Sequence, residues 1–236
     1  MKLFPAETWR KRVTAEVTFF KTQKKGVNMT LNEIKPEKIS LKTKDNYILK
    51  ANFYNKPKQK KCVLLLHQYS KNKESWNELI PRLISNKHAV LALDLRGHGE
   101  STGNYKNFEE KDFENMELDV KTAMKFLEEQ KFEKNDISLI GSSIGANLAQ
   151  NYAASNPNNK TILLSPGFNY KGIVLIIKDT KALIIVSKED EYSYKTVKDI
   201  EKKCPFTECI YLENKGHGIY MLDKELISSI NLFLNE

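Results

Sequence analysis

From residue 38 onward the chain switches between two hydrophobic rhythms. Residues 38–43 (KISLKT) and 47–54 (YILKANFY) alternate apolar and polar positions, and Asp45-Asn46 between them is turn chemistry. A period of two with a polar turn predicts an antiparallel β-hairpin. After the polar loop 57–61, Cys62-Val-Leu-Leu-Leu66 is apolar without interruption. Such a run marks a strand buried on both faces of a parallel sheet. Comparable strands are predicted at 89–94, 137–141, 160–165, 182–187 and 208–212. Between them the spacing becomes helical. Trp76, Leu79, Ile80, Leu83 and Ile84 define a helix over 73–85, and Phe113, Met116, Val120, Met124 and Leu127 one over 108–130. Further helices are predicted at 144–154, 193–203 and 219–234. Strands alternating with helices predict an α/β class protein. Its architecture is a doubly wound, mostly parallel sheet with helices on both faces, led by an antiparallel N-terminal hairpin.

Residues 1–35 lack this rhythm. They are rich in Lys and Thr, with a small apolar cluster at Val17, Phe19 and Phe20, and Met29 offers an alternative start. They are expected to form an N-terminal extension of unknown role, with one short strand or helix at most. Residues 36–236 are expected to form one domain, without internal repeats.

Composition narrows the classes of function. The chain has 236 residues, 40% hydrophobic and 29% charged, which suits one domain with a substantial core. The net charge is +8, but the lysines are spread along the chain with acidic residues between them. That pattern predicts a solvated surface and no nucleic-acid site. No apolar run reaches the roughly 18–20 residues of a membrane span. Cys62, Cys204 and Cys209 are too few for a disulfide framework, and no metal-ligand spacing is present, so neither metal nor cofactor is expected. The N-terminus has no apolar signal region, which makes a cytoplasmic location the default expectation.

In open α/β sheets, ligands bind beyond the carboxyl ends of the strands. Gly141-Ser-Ser-Ile-Gly145 sits there, fits G-x-S-x-G, and has Ser143 at its centre between a strand and a helix. Glycines two residues to either side let strand and helix approach, and the helix N-terminus brings N–H groups beside the serine. Ser143 is the candidate nucleophile, and Ser142 is expected to pack or hydrogen-bond locally. A serine nucleophile needs a base, a carboxylate to orient the base, and oxyanion donors. His217, between Gly216 and Gly218 after the last strand, is the candidate base. His67 and His98 are expected to hold loops, and His88, ahead of a strand, to lie on the surface. Asp190, past the strand 182–187, is the candidate orienting carboxylate, with Glu189 and Glu191 as adjacent alternatives. Asp94 is expected to tie down the glycine-rich turn that follows it. The backbone N–H groups of Ile144 and Tyr69 are the candidate oxyanion donors.

With these residues in place, the chain resembles the α/β-hydrolase superfamily. The resemblance runs from about residue 38 to the C-terminus. It rests on Leu64-Leu-Leu-His-Gln68, Asp94-Leu-Arg-Gly-His-Gly-Glu-Ser101, Gly141-Ser-Ser-Ile-Gly145, Val186-Ser-Lys-Glu-Asp190 and Gly216-His-Gly218, in that order. Within the superfamily it is most similar to small esterases and dienelactone-hydrolase-like proteins. Two departures stand out. Gln68 occupies the place where the family usually has Gly, which would narrow or reshape the oxyanion loop. The nucleophile is a serine rather than the cysteine of true dienelactone hydrolases. Only residues 166–181 stand where many relatives insert a cap, so an open, shallow site bordered by Tyr69, Phe168 and Tyr192 is expected. The resemblance implies a serine hydrolase cleaving a small carboxylic ester, with thioester and amide as alternatives, through Ser143, His217 and Asp190. The competing expectations are a non-catalytic α/β-hydrolase-like binding protein and a peripheral binder of polyanions.

Overall fold

A computed structural model describes residues 35–157, 159–204 and 207–236. The expected N-terminal extension, its apolar cluster and Met29 lie outside the described residues, apart from Lys35. The hairpin is present as β1 (Glu37–Lys42) and β2 (Ile48–Tyr54), paired antiparallel with Leu41 opposite Leu49. Its turn uses Asn46 at φ 70°, and the Thr43 amide donates to the Tyr47 carbonyl. Asn tolerates this left-handed conformation because its short polar side chain bonds locally.

The remaining strands of the large sheet are β3 (Lys61–Leu66), β4 (His88–Leu93), β5 (Ile137–Ser142), β6 (Thr161–Leu164), β9 (Ala182–Ser187) and β10 (Glu208–Leu212). The eight strands run in the order β1-β2-β4-β3-β5-β6-β9-β10. β2 pairs antiparallel with β4, and every pair from β4 to β10 is parallel. Successive side chains of a strand face opposite sides of the sheet, and β3 shows the result. Cys62, Leu64 and Leu66 enter one core, while Val63 and Leu65 enter the other. The first core packs under α2 (Glu110–Glu114), α3 (Glu117–Glu129), α4 (Ile144–Ser155) and α5 (Glu191–Lys203). The second packs under α1 (Ile80–Ser85) and α6 (Lys224–Asn235). The doubly wound α/β architecture expected from the sequence is therefore the observed one.

Three predicted helices are shorter or broken. The segment 73–85 divides into a 3₁₀ turn, Lys73–Trp76, and α1, which has Pro81 in its first turn. Proline has no N–H to give a preceding turn and fits best where a helix begins. The segment 108–130 breaks between α2 and α3, where Met116 and Leu118 donate to carbonyls three residues back. The closing segment begins as a 3₁₀ turn, Gly218–Met221, and Asp223 then caps α6 by accepting from the Glu225 and Leu226 amides.

His88 is a correction. It is the first residue of β4, and β4 lies between β2 and β3, so its side chain is buried rather than exposed. Burial, reinforced by the charges of Lys61 and Lys160, pushes its pKa down.

The segment 166–181 holds a further element that its sequence pattern does not announce. β7 (Asn169–Tyr170) and β8 (Ile173–Val174) pair antiparallel around Lys171-Gly172, whose φ values are 55° and 89°. Two positive φ values in a two-residue connection match the twist of a tight hairpin.

Candidate active site

β5 delivers Ser143 to the carboxyl edge of the sheet, at φ 54° and ψ −116°. A serine at positive φ is uncommon and marks a backbone held by its surroundings. The Ser143 amide donates to the Leu164 carbonyl at 2.8 Å, which fixes the turn against β6. The flanking glycines are required by close approach. A Cβ on Gly141 would stand 2.1 Å from the Gly145 carbonyl oxygen, and one on Gly145 2.3 Å from that of Leu66. α4 starts immediately after Ser143, so the helix N-terminus faces the serine. Among the described residues, neither the Ile144 nor the Tyr69 amide donates to a protein acceptor. Both expected oxyanion donors are thus uncommitted.

His217 and Asp190 meet. His217 Nδ1 lies 2.6 Å from Asp190 Oδ2, a short charge-assisted contact, with the carboxylate nearly buried. Burial pushes the Asp190 pKa up, but the His217 hydrogen bond and charge, with the hydroxyls of Ser165 and Ser193, outweigh this and hold it below its ordinary value.

The two alternatives to Asp190 have other partners. Glu189 Oε1 accepts from the Gly216 amide at 2.8 Å and from Ser187 Oγ at 2.7 Å, and its Oε2 accepts from the Asn214 amide at 2.9 Å. Those donors, Gly216 first, draw its pKa down to about 2. Glu191 begins α5, exposed, with Lys195 3.9 Å away.

The remaining candidates hold loops, as their positions suggested. His67 is buried, with Nδ1 2.8 Å from the Gln68 carbonyl, while Nε2 accepts from the Leu95 amide at 3.0 Å. Burial lowers its pKa to about 4, which keeps the ring neutral. His98 Nδ1 donates to the Arg96 carbonyl at 2.9 Å, and its ring stacks on Tyr105 at 4.3 Å. Asp94 accepts from the Lys73 and Glu100 amides and pairs with buried Lys73 Nζ at 2.6 Å.

Gln68 does not project into the oxyanion loop. Its Oε1 accepts from Ser142 Oγ and from the Ile219 amide, both at 2.9 Å. One side chain therefore ties the loop after β3 to the serine turn and to the His217 loop. Ser142 hydrogen-bonds across the fold through this contact rather than locally. A Cβ on Gly218 would meet Gln68 Oε1 and Ser142 Oγ, each at 2.4 Å, which explains the glycine beside His217.

The aromatic residues expected at the rim have different surroundings. Phe168 and Tyr192 are 37% and 46% exposed and pack edge-on, 6.5 Å between centroids. The Tyr192 hydroxyl accepts from the Asn169 amide and donates to its carbonyl, both at 2.9 Å. The Tyr69 ring turns away onto His98, Tyr105 and Phe113. The aromatic residue that faces the His217 ring is Tyr170, 6.2 Å away at 84°. At the hairpin tip, Lys171 Nζ lies over the Tyr69 ring at 5.1 Å, so the hairpin reaches the loop after β3.

α4 anchors this insertion. Asn147 donates to the Gly167 and Ile173 carbonyls and accepts from the Gly167 amide, at 2.8–3.1 Å. Gln150 donates to the Ile176 and Lys178 carbonyls, and Asn151 bonds the Val174 carbonyl and the Ile176 amide. Positions 147, 150 and 151 share one face of a helix. Polar residues on a buried helix face, together with Lys171-Gly172, were the available signals for the hairpin.

A G-x-S-x-G turn between β5 and α4, with a His–Asp pair carried by the loops after β10 and β9 of the same sheet, defines an α/β-hydrolase. Within that class, the chain belongs to the family described as serine aminopeptidase, S33, whose sequence model matches residues 57–191. Among curated proteins, monoacylglycerol lipase abhd6-A of Xenopus laevis is 30% identical over 141 residues, 58% of this chain and 40% of that protein. Monoacylglycerol lipase ABHD6 of Rattus norvegicus is 32% identical over 117 residues, 49% of this chain and 32% of that protein. The chain thus matches less than half the length of these relatives. Among solved structures, the Pyrococcus furiosus esterase Pf2001 superposes with TM-score 0.71 at 20% identity, covering 88% of this chain and 96% of that one. An Exiguobacterium antarcticum esterase superposes with TM-score 0.69 at 14% identity, covering 85% of this chain and all of that one. These superpositions establish a shared fold. No helix of the described residues is long and apolar enough to cross a membrane.

Proposed function

We propose that this protein hydrolyses small carboxylic esters through an acyl-enzyme formed on Ser143. The observation that carries the reading is the 2.6 Å contact between His217 Nδ1 and Asp190 at the strand edge that bears the Ser143 turn. Ser143 Oγ attacks the ester carbonyl carbon while His217 Nε2 takes the hydroxyl proton. Asp190 holds the ring in the tautomer with a proton on Nδ1 and stabilises the imidazolium that forms. The tetrahedral oxyanion accepts from the amides of Ile144 and Tyr69, which need no reorganisation to receive it. The C–O bond then breaks, and His217 returns the proton to the leaving alkoxide. A water, activated by the same imidazole, attacks the acyl carbon and releases the acid and Ser143.

The similarity to monoacylglycerol lipases and esterases favours an ester over the amide that the family description suggests. The hairpin, whose Tyr170 faces the His217 ring, favours short acyl groups. A panel of p-nitrophenyl esters of increasing acyl length tests both points. The expected result is turnover that falls with chain length and drops by about 10⁴-fold or more in Ser143→Ala. A preference for long chains contradicts the size argument. Equal turnover by Ser143→Ala contradicts the mechanism and favours a binding protein of the same fold.

A further inference from the structure

The short insertion reaches the His–Asp pair through a chain of side chains. Tyr170 Oη lies 2.9 Å from Ser193 Oγ and 3.2 Å from the Ser165 carbonyl oxygen. The Ser165 hydroxyl accepts from the Gly218 amide at 2.9 Å, immediately beside His217. The hydroxyls of Ser165 and Ser193 both face the Asp190 carboxylate, and Tyr170 Oη also approaches Ser143. Ser165 and Ser193 are fully buried. Ser165 sits at φ 51°, a second serine at positive φ, one strand over from Ser143.

The chemistry gives these contacts a purpose. A carboxylate turns easily about its last side-chain torsion, because that torsion has no sharp staggered wells. One hydrogen bond to His217 does not stop Asp190 from rotating. Two hydroxyl donors on its remaining lone pairs do. Ser193 Oγ has two acceptors in reach, the Asp190 carboxylate and the Ser165 carbonyl at 3.4 Å, and when its one proton goes to Asp190 its oxygen can accept from Tyr170, whose proton otherwise meets the same carbonyl. The phenol of Tyr170 stays protonated to do so. Burial first, then the Asp190 charge, push its pKa up to about 12, against the hydrogen bond to Ser193. The ring fits because position 167 has no side chain. A Cβ there would stand 2.5 Å from both Tyr170 Cζ and Tyr192 Cε1.

We propose that Tyr170 and Ser193 are positioning residues that hold Asp190, and through it His217, in the reactive orientation, with the β7–β8 hairpin supplying Tyr170. The proposal rests on the reading of Ser143, His217 and Asp190 as the catalytic set. It makes the insertion a part of the catalytic support.

The test compares Tyr170→Phe, Ser193→Ala and Ser193→Thr with wild type, each first checked for a native thermal transition. Three quantities are read: kcat and KM on a short p-nitrophenyl ester, the rate of labelling by a fluorophosphonate, and the far-downfield proton resonance of His217 Nδ1–H. The expected result is a fall of about tenfold in kcat and in labelling rate for Tyr170→Phe and Ser193→Ala, with KM within about twofold. The resonance shifts or broadens in both, and Ser193→Thr, which keeps the hydroxyl, restores all three. Wild-type labelling rates and an unmoved resonance in Tyr170→Phe and Ser193→Ala overturn the proposal and leave the catalytic set standing. Failure of the wild-type protein itself to label removes the catalytic set and the proposal with it.

Discussion

Glu189 Oε1 accepts the Gly216 amide at 2.8 Å, so the neighbour of Asp190 is fastened to the neighbour of His217. The same carboxylate receives the Asn214 amide and the Ser187 hydroxyl. Two loops from adjacent strands, β9 and β10, are thereby held in register one residue away from the His–Asp pair. The carboxylates that compete in the sequence for one role divide the work: Asp190 meets the imidazole, and Glu189 sets the loop that carries it.

This contact makes stability depend on pH. The folded-state pKa of Glu189 is about 2, against an ordinary value of 4.5. A depressed pKa contributes stability above the unfolded value, and that contribution is lost as pH falls through the folded one. The denaturant midpoint of the wild-type protein should therefore fall more steeply between about pH 4.5 and pH 2 than that of Glu189→Gln. Parallel curves for the two proteins would show that the amide contacts do not favour the charged form.

The serine turn predicts intolerance to a single methyl group. Gly141→Ala sets a Cβ 2.1 Å from the Gly145 carbonyl oxygen, a backbone atom that cannot rotate aside. Strand and helix must separate, which costs at least the 1–3 kcal/mol typical of overpacking, and the Ser143 turn shifts with them. Equilibrium unfolding should show the loss, together with at least a hundredfold fall in esterase activity. Wild-type stability would mean that β5 and α4 are not in contact as described.

The anchoring of the insertion is separable from the core. Asn147→Leu keeps the bulk but leaves the amide and carbonyl of Gly167 and the carbonyl of Ile173 without their partner. Each buried group left unpaired costs about 1–3 kcal/mol, more than a two-stranded hairpin can hold by itself. Hydrogen exchange should accelerate across residues 167–176 while β5 and β6 stay protected. Uniform loss of protection over the whole sheet would contradict local anchoring.

How far the sequence reached is seen best where it failed. The central strands were legible because both faces are buried: Cys62-Val-Leu-Leu-Leu66 is apolar throughout, with alternate side chains entering the two cores. The Ser143 turn was legible because close approach forces glycine at 141 and 145. The meeting of Asp190 and His217 followed from strand ends falling on one edge. The β7–β8 hairpin was not legible, since its strands have two residues each and the side chains that anchor it, Asn147 and Asn151, sit on another element. Tyr170 was missed for the same reason: only the hairpin turns its ring toward His217. His88 was misread because burial at a strand's first residue depends on which strands flank it. Gln68 looked like an obstruction in the oxyanion loop because its two partners, Ser142 and Ile219, are remote in sequence.

The central claim is that Ser143 is the nucleophile. Intact-protein mass after exposure to a fluorophosphonate tests it most directly, on wild type and Ser143→Ala side by side. The account predicts a single adduct on the wild-type protein, mapped to the peptide containing Ser143, and none on Ser143→Ala. An unmodified wild-type protein, or an alanine variant that gains the same mass, would contradict it.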